Sequence, residues 1–157
     1  YCFIKIFKGM KNLDYLTADL ISPWADVKMD VHDIPFDENT FDVVICNHVL
    51  EHVDDADKVM KEFYRVMKPG GWGIFQVPID YNNSVTIEDR SVTDPRERER
   101  LYWQSDHLRL FGRDYGDKLT AAGFKVTESN FINEIDPKLV ERYALDKNEI
   151  VYYCQKD

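Results

Sequence analysis

His48, Glu51 and His52, in the run His48-Val-Leu-Glu-His52, are the residues of this 157-residue chain whose types and spacing suggest chemistry most directly. On a helix, two imidazoles one turn apart can hold zinc while the glutamate activates water. That use requires a helix through all five residues and a third protein ligand farther along. The surrounding sequence offers something else: an apolar run ends one residue before Asn47, and a helix-start signal, Asp54-Asp55, follows only after His52. No metal is therefore expected, and a zinc hydrolase acting through His48, Glu51 and His52 remains a minor alternative. Asp19 and Asp30 could accept charge-assisted hydrogen bonds from a ligand. The imidazole of His107 could take a proton from a hydroxyl or amine. Its neighbours Tyr102 and Trp103 could wall an apolar substrate, although packing in a core is the commoner fate of aromatic side chains.

The elements that must position these residues follow from hydrophobic period and punctuation. Phe41 to Cys46 reads as a strand buried on both faces of a parallel sheet, which puts Asn47 and His48 at its carboxyl end. In open α/β sheets that edge is where ligands bind. Asp54 or Asp55 caps the next helix, in which Val59, Met60, Phe63, Val66 and Met67 share one face, and Pro69-Gly70-Gly71 stops it. Trp72 to Val77 is the following strand. Earlier, Tyr1 to Met10 predicts a helix tail closed by Gly9 or Asn12. Leu13 to Leu20 predicts a strand with Asp19 near its tip, Ser22-Pro23 a capped helical turn, and Val27 to Asp30 a second strand. Later, Tyr81 to Arg100 shows no convincing period, and 81–107 is expected to form a lid or acceptor-site segment. Asp114 to Ala122 predicts a helix closed by Gly123. Strands are expected at 124–131 and 149–154, with a helical or irregular connection over 136–147. Alternating strands and helices predict a single α/β domain over 1–157, Rossmann-like and doubly wound with a mostly parallel sheet.

Three spaced segments carry a family resemblance. Asp30-Val-His-Asp-Ile-Pro-Phe-Asp-Glu-Asn-Thr-Phe-Asp42, Val49-Leu-Glu-His-Val53 and Val66-Met-Lys-Pro-Gly-Gly71 occur in order and resemble the second half of a class I S-adenosylmethionine-dependent methyltransferase. The resemblance implies S-adenosylmethionine as cofactor, S-adenosylhomocysteine as product and methyl transfer to a small-molecule oxygen, nitrogen or carbon. It implies that Asp19 accepts from the ribose hydroxyls and that Asp30 and Val31 read adenine, with Met29, Val31 and Ile34 as apolar walls. Asn47 would touch the donor through its backbone carbonyl and His48 by packing. Glu51 and His52 belong to the Leu-Glu-His signature, where a structural role at the helix start stands beside ligand contact. Similar Asp-His-Leu-Arg segments occur in such enzymes, so the resemblance places His107, with Tyr102 and Trp103, toward the acceptor. The final strand is expected to insert antiparallel to its neighbour.

The glycine-rich loop that cradles the methionine part of the donor in this family has no counterpart before Asp19, where Gly9 stands alone. The chain, opening at Tyr1, is accordingly expected to be a carboxy-terminal portion lacking the first, central strand. A homodimer or a missing amino-terminal segment would complete the sheet. A truncated or degenerate module of the same fold without catalysis is the main alternative function.

A hydrophobic fraction of 44% excludes disorder, and the net charge of -9 disfavours nucleic acid, whose nonspecific binding relies on Lys and Arg. Arg96, Arg98 and Arg100 alternate with Glu97 and Glu99, giving a solvated mixed-charge surface. Cys2, Cys46 and Cys154 are too far apart for a CxxC metal site and odd in number, and Cys46 reads as a small core residue. No apolar stretch approaches a membrane span, so no membrane association and a reducing cytoplasm are expected.

Overall fold

The computed structural model describes residues 2–157. Five helices and eight strands alternate along it: α1 (Cys2–Lys8), β1 (Ala18–Asp19), β2 (Val27–Lys28), β3 (Phe41–Asn47), α2 (Ala56–Val66), β4 (Met67–Gln76), β5 (Ile87–Glu88), α3 (Pro95–Tyr102), β6 (Arg109–Leu110), α4 (Tyr115–Ala121), β7 (Lys125–Ser129), α5 (Pro137–Arg142) and β8 (Val151–Gln155). Tyr1, the expected first residue of α1, lies outside the described residues.

The main sheet has the order β3-β4-β8-β7. β3 runs parallel to β4, while β8 is antiparallel to both β4 and β7, as the resemblance implies. β1 and β2 form a separate parallel pair. The architecture is α/β and Rossmann-like. A further small pair, β5 with β6, is antiparallel. No described helix is long and apolar enough to cross a membrane.

The amphipathic α2 supplies the centre of the core. Asp55 caps it by accepting from the Lys58 amide at 2.9 Å, and Val59, Met60, Phe63 and Val66 are all buried. They pack in one cluster with Phe75 of β4, Tyr115 and Leu119 of α4, and Phe124. α2 ends at Val66, earlier than the expected stop at Pro69-Gly70-Gly71, and Met67 already pairs with Phe41 in β4; within β4, Gly70 has φ of +78°, a backbone conformation that costs glycine little, where the β3–β4 register shifts.

β3 is not buried on both faces: Val43 and Ile45 are 38% and 50% exposed. Side chains alternate across a strand, so Val44 and Cys46 pack against the core while Val43 and Ile45 face the other way. Among the described residues β3 also pairs on one side only, with β4. The Leu13 strand is shorter than expected, just Ala18–Asp19, and the Ser22-Pro23 segment forms turns rather than a helix.

α2 also fixes the 30–37 loop through an ion pair facing that loop. Glu62 accepts from Arg65 Nε at 2.7 Å and from the Ile34 amide at 3.0 Å, while Arg65 donates to the carbonyls of Phe36 and Ile34 at 2.8 and 2.9 Å. The Arg65 hydrogen bond is the main cause holding the Glu62 carboxyl below its ordinary value of 4.5. A carboxyl lowered by folding contributes stability that is complete above that ordinary value and is lost as pH falls through the lowered folded value. Urea midpoints measured from about pH 7 down to about pH 3 should therefore drop less steeply in Glu62→Gln than in the parent. Identical acid profiles for the two proteins would remove this pair from the account.

Candidate active site

The expected donor-binding residues lie at three strand tips, two in the β1–β2 pair and one at the end of β3. The Met29 amide donates to the Asp19 carbonyl at 3.0 Å, so Asp19 and Asp30 sit at neighbouring tips of the parallel β1–β2 pair. The two carboxylates are built alike. Asp19 Oδ1 accepts from the amides of Ile21 and Ser22 at 2.9 and 2.7 Å, and these hold the carboxyl below its usual range. Asp30 Oδ1 accepts from the His32 amide at 2.9 Å and lies 2.7 Å from His32 Nδ1, and the two contacts lower it in the same way. In both residues Oδ2 takes no hydrogen bond from the described residues. Each is therefore an ionised acceptor held in place by one oxygen with the other to spare.

His32 anchors the Asp30 loop through its other ring nitrogen as well. Its side chain is about four-fifths covered, and Nε2 accepts from the Asp55 amide at 3.2 Å, tying the Asp30 loop to the cap of α2. Nδ1 must then carry the proton that Asp30 accepts. Met29 and Val31 pack against the core beside buried Ile34.

Asn47 ends β3 opposite Gln76, and the His48 amide donates to the Gln76 carbonyl at 2.8 Å. His48 has φ of +57°, a left-handed conformation uncommon for a residue with a side chain, which swings the chain out of the sheet. Its ring is mostly exposed, with Nδ1 3.4 Å from Glu51 Oε1. His48 to His52 lie in turns before α2, so the continuous helix that an H-x-x-E-H zinc site requires is not formed.

Around His107 the structure departs from the expected irregular segment. Asp94 caps α3 by accepting from the Arg96 amide at 2.8 Å, and Pro95 opens it. Tyr102, the last residue of α3, turns inward, and its hydroxyl accepts from the Asp89 amide at 3.0 Å. Trp103 caps the helix in a left-handed conformation and is 51% exposed. His107 is buried at 1% exposure, with Nδ1 2.7 Å from the Tyr102 carbonyl. Residues 81–107 are fastened to the body, since Thr86 donates to Asp114 Oδ1 through its amide and hydroxyl at 2.8 and 2.7 Å.

Arg109 is the residue that sequence reasoning missed. Its guanidinium is buried and donates to the carbonyls of Leu50, Val53 and Asp54 at 2.6, 2.6 and 3.1 Å, and to both oxygens of Glu88. It thus clamps the loop that follows β3. Only the Asp-His-Leu-Arg segment pointed to it, and nothing in that segment indicates where the guanidinium would go.

Residues 10–75, which hold Asp19, Asp30, Asn47 and His48, match the family described as a methyltransferase domain. The sterol 24-C-methyltransferase of Schizosaccharomyces pombe is 34% identical over 154 residues, covering 87% of this chain and 38% of that protein. The sequence match and the shared fold together support a class I S-adenosylmethionine-dependent methyltransferase. A ubiquinone/menaquinone biosynthesis C-methyltransferase from Desulfotalea psychrophila is 50% identical over 42 residues, 27% of this chain and 17% of that protein. The chain thus corresponds to well under half the length of either relative. Among solved structures, a putative methyltransferase from Bacillus halodurans superposes with a TM-score of 0.52 at 19% identity, covering 90% of this chain and 78% of that one. The cyclase SpnF superposes at 0.54 with 16% identity, covering 83% and 56% of the two chains. A fold shared with a cyclase shows why the reaction must be argued from site residues.

Neither Cys46 nor Cys154 is an activated nucleophile. Burial, assisted by the charge of Glu51, pushes the Cys46 thiol up to about 12, and burial pushes Cys154 up to about 12. Both stay protonated at neutral pH.

Proposed function

We propose that the chain carries the nucleoside-binding part of an S-adenosylmethionine-dependent methyltransferase that methylates a small-molecule acceptor. The observation that carries the reading is the matched pair of carboxylates at adjacent strand tips, each with Oδ1 engaged by its own loop and Oδ2 available. Ribose hydroxyls and an adenine amine are hydrogen-bond donors, and such donors suit two fixed anionic acceptors. Asp19 would hold the ribose. Asp30 and Val31 would hold adenine, with Met29 and Ile34 beside them and His32 keeping Asp30 in place. Asn47 and His48, at the tip of β3, would face the donor where it meets the acceptor.

When bound, S-adenosylmethionine supplies a methyl group on a sulfonium leaving group. The chain's own task is then chiefly to align donor with acceptor and to keep water out. The buried ring of Tyr102 and the fastened 81–107 segment support the second part. Carbon is the acceptor atom best supported, because both named sequence relatives are C-methyltransferases.

Titration of the 157-residue chain with S-adenosylhomocysteine in a calorimeter tests the donor site. Asp19→Ala should weaken that binding by about tenfold, the usual scale for a hydrogen bond to a charged acceptor. Absence of heat at about millimolar ligand would show that this chain does not bind the donor unaided. Unchanged affinity in the variant would reject the ribose assignment.

A further inference from the structure

We propose that Glu51, His52 and His107 form a site for a divalent transition-metal ion, zinc being the best match. One donor atom from each of the three residues lies within 4.8 Å of the other two. The cluster differs from the H-x-x-E-H pattern, because His48 is not a member and the third donor comes from the segment ahead of β6.

Two of the donors are buried acceptors without a partner. The Tyr102 carbonyl can only accept, so His107 Nδ1 carries a proton, and in the neutral ring Nε2 then presents a lone pair. His107 Nε2 and Glu51 Oε2 are both buried, and neither has a hydrogen-bond partner among the described residues. Two lone-pair acceptors enclosed together are unfavourable unless something positive lies between them. A cation satisfies both at once.

The flanking contacts fit ligation. A metal-binding imidazole usually donates its other N–H to a carbonyl or carboxylate, which fixes the tautomer and aims the ring. His107 makes such a contact with Tyr102. His52 has Nδ1 3.4 Å from Asp106 Oδ2, and its ring meets that of His107 edge-on with centroids 4.7 Å apart. His52 is also partly exposed, which gives an ion a way in.

The loop that supplies two donors is held from both sides. Arg109 ties down the carbonyls of Leu50, Val53 and Asp54, and the Leu108 amide donates to the Glu51 carbonyl at 2.9 Å. The three donors need to draw in by less than about 1 Å to reach ordinary zinc bond lengths of about 2.0–2.2 Å. Two imidazoles and one carboxylate favour zinc or a neighbouring transition ion over magnesium or calcium, which prefer all-oxygen shells. Three protein ligands leave a coordination position for water or an acceptor oxygen. This gives His107 a ligand's role in place of the proton-accepting role expected from the sequence.

The proposal is independent of donor binding, because zinc alone tests it. After chelator treatment, the 157-residue chain should bind one equivalent of Zn²⁺ by calorimetry, and Co²⁺ should give visible bands of a nitrogen- and oxygen-ligated site. His52→Ala removes a partly exposed ring and should leave the far-ultraviolet circular dichroism unchanged while weakening zinc at least about tenfold. Asp106→Asn, which alters only the outer contact, should weaken it by about tenfold or more. Failure of the parent chain to bind zinc stoichiometrically, or binding indifferent to His52→Ala in the folded variant, would overturn the site.

Discussion

Arg109→Ala is expected to lower the unfolding free energy by about 3 kcal/mol, the low end of the range for breaking a buried charge pair. The low end applies because the Glu88 carboxylate is 31% exposed and water can partly replace its partner. Arg109 itself is 2% exposed. Its removal leaves the carbonyls of Leu50, Val53 and Asp54 facing a void, and a carbonyl stripped of its donor in a dry site is costly. Glu88 loses the hydrogen bond that chiefly holds its carboxyl below the ordinary value. Arg109→Lys should recover little of the loss, because one ammonium cannot reach three carbonyls and a carboxylate from the positions a planar guanidinium serves. Urea denaturation of the two variants measures both effects. A loss under about 1 kcal/mol in Arg109→Ala would mean that water fills the clamp, and the loop after β3 would then owe its shape to other contacts.

That clamp marks where sequence reasoning stops. Local signals were sufficient for α2, since Asp55 caps it and its apolar face repeats at helical spacing, and these depend on nearby residues alone. The same holds for residues 72–76 of β4, although the strand begins earlier, at Met67, and for α4. The two faces of β3 were not legible: Phe41 to Cys46 has the composition of a strand covered on both sides, whereas coverage is decided by which elements lie next to it in space. α3 was missed although Asp94-Pro95 is a good opening, because the charged run behind it has no apolar face to reveal a helical period. For the site, Asp19 and Asp30 could be placed at strand tips from pattern and resemblance. Their sharing of one construction, with Oδ1 spent and Oδ2 kept, depends on loop geometry that spacing does not encode. Glu51, His52 and His107 lie near one another in a tertiary arrangement that includes the contacts of Arg109 and Leu108 with the loop after β3, and no local signal encodes it.

Phe75→Ala is expected to cost about 3–5 kcal/mol, as for other fully buried aromatic rings truncated to a methyl group. Phe75 is inaccessible to solvent near the carboxyl end of β4. Its ring stacks on Phe63 of α2 at 5.0 Å with 22° between planes, and leans on Phe124 at 5.3 Å. One side chain therefore joins the sheet to α2 and to the segment entering β7. The sequence makes room for it at Gly73, where an added Cβ would come within 2.6 Å of the Phe75 ring and 2.7 Å of the Val44 carbonyl oxygen. Relaxation cannot easily close the resulting cavity, because the Phe75 backbone is held in register with Cys46 and its carbonyl accepts from the Tyr115 hydroxyl at 3.1 Å. Domains of this size have total stabilities of about 5–15 kcal/mol, so the variant should retain a much smaller margin than its parent. Phe75→Leu leaves a smaller cavity and should lose distinctly less. Equal urea midpoints for Phe75→Ala and the parent, at unchanged m-value, would show that this ring does not join the layers. Because the next residue, Gln76, accepts the His48 amide, destabilisation should reach the tip of β3 as well. Amide exchange at His48 should then quicken in Phe75→Ala more than in Phe75→Leu.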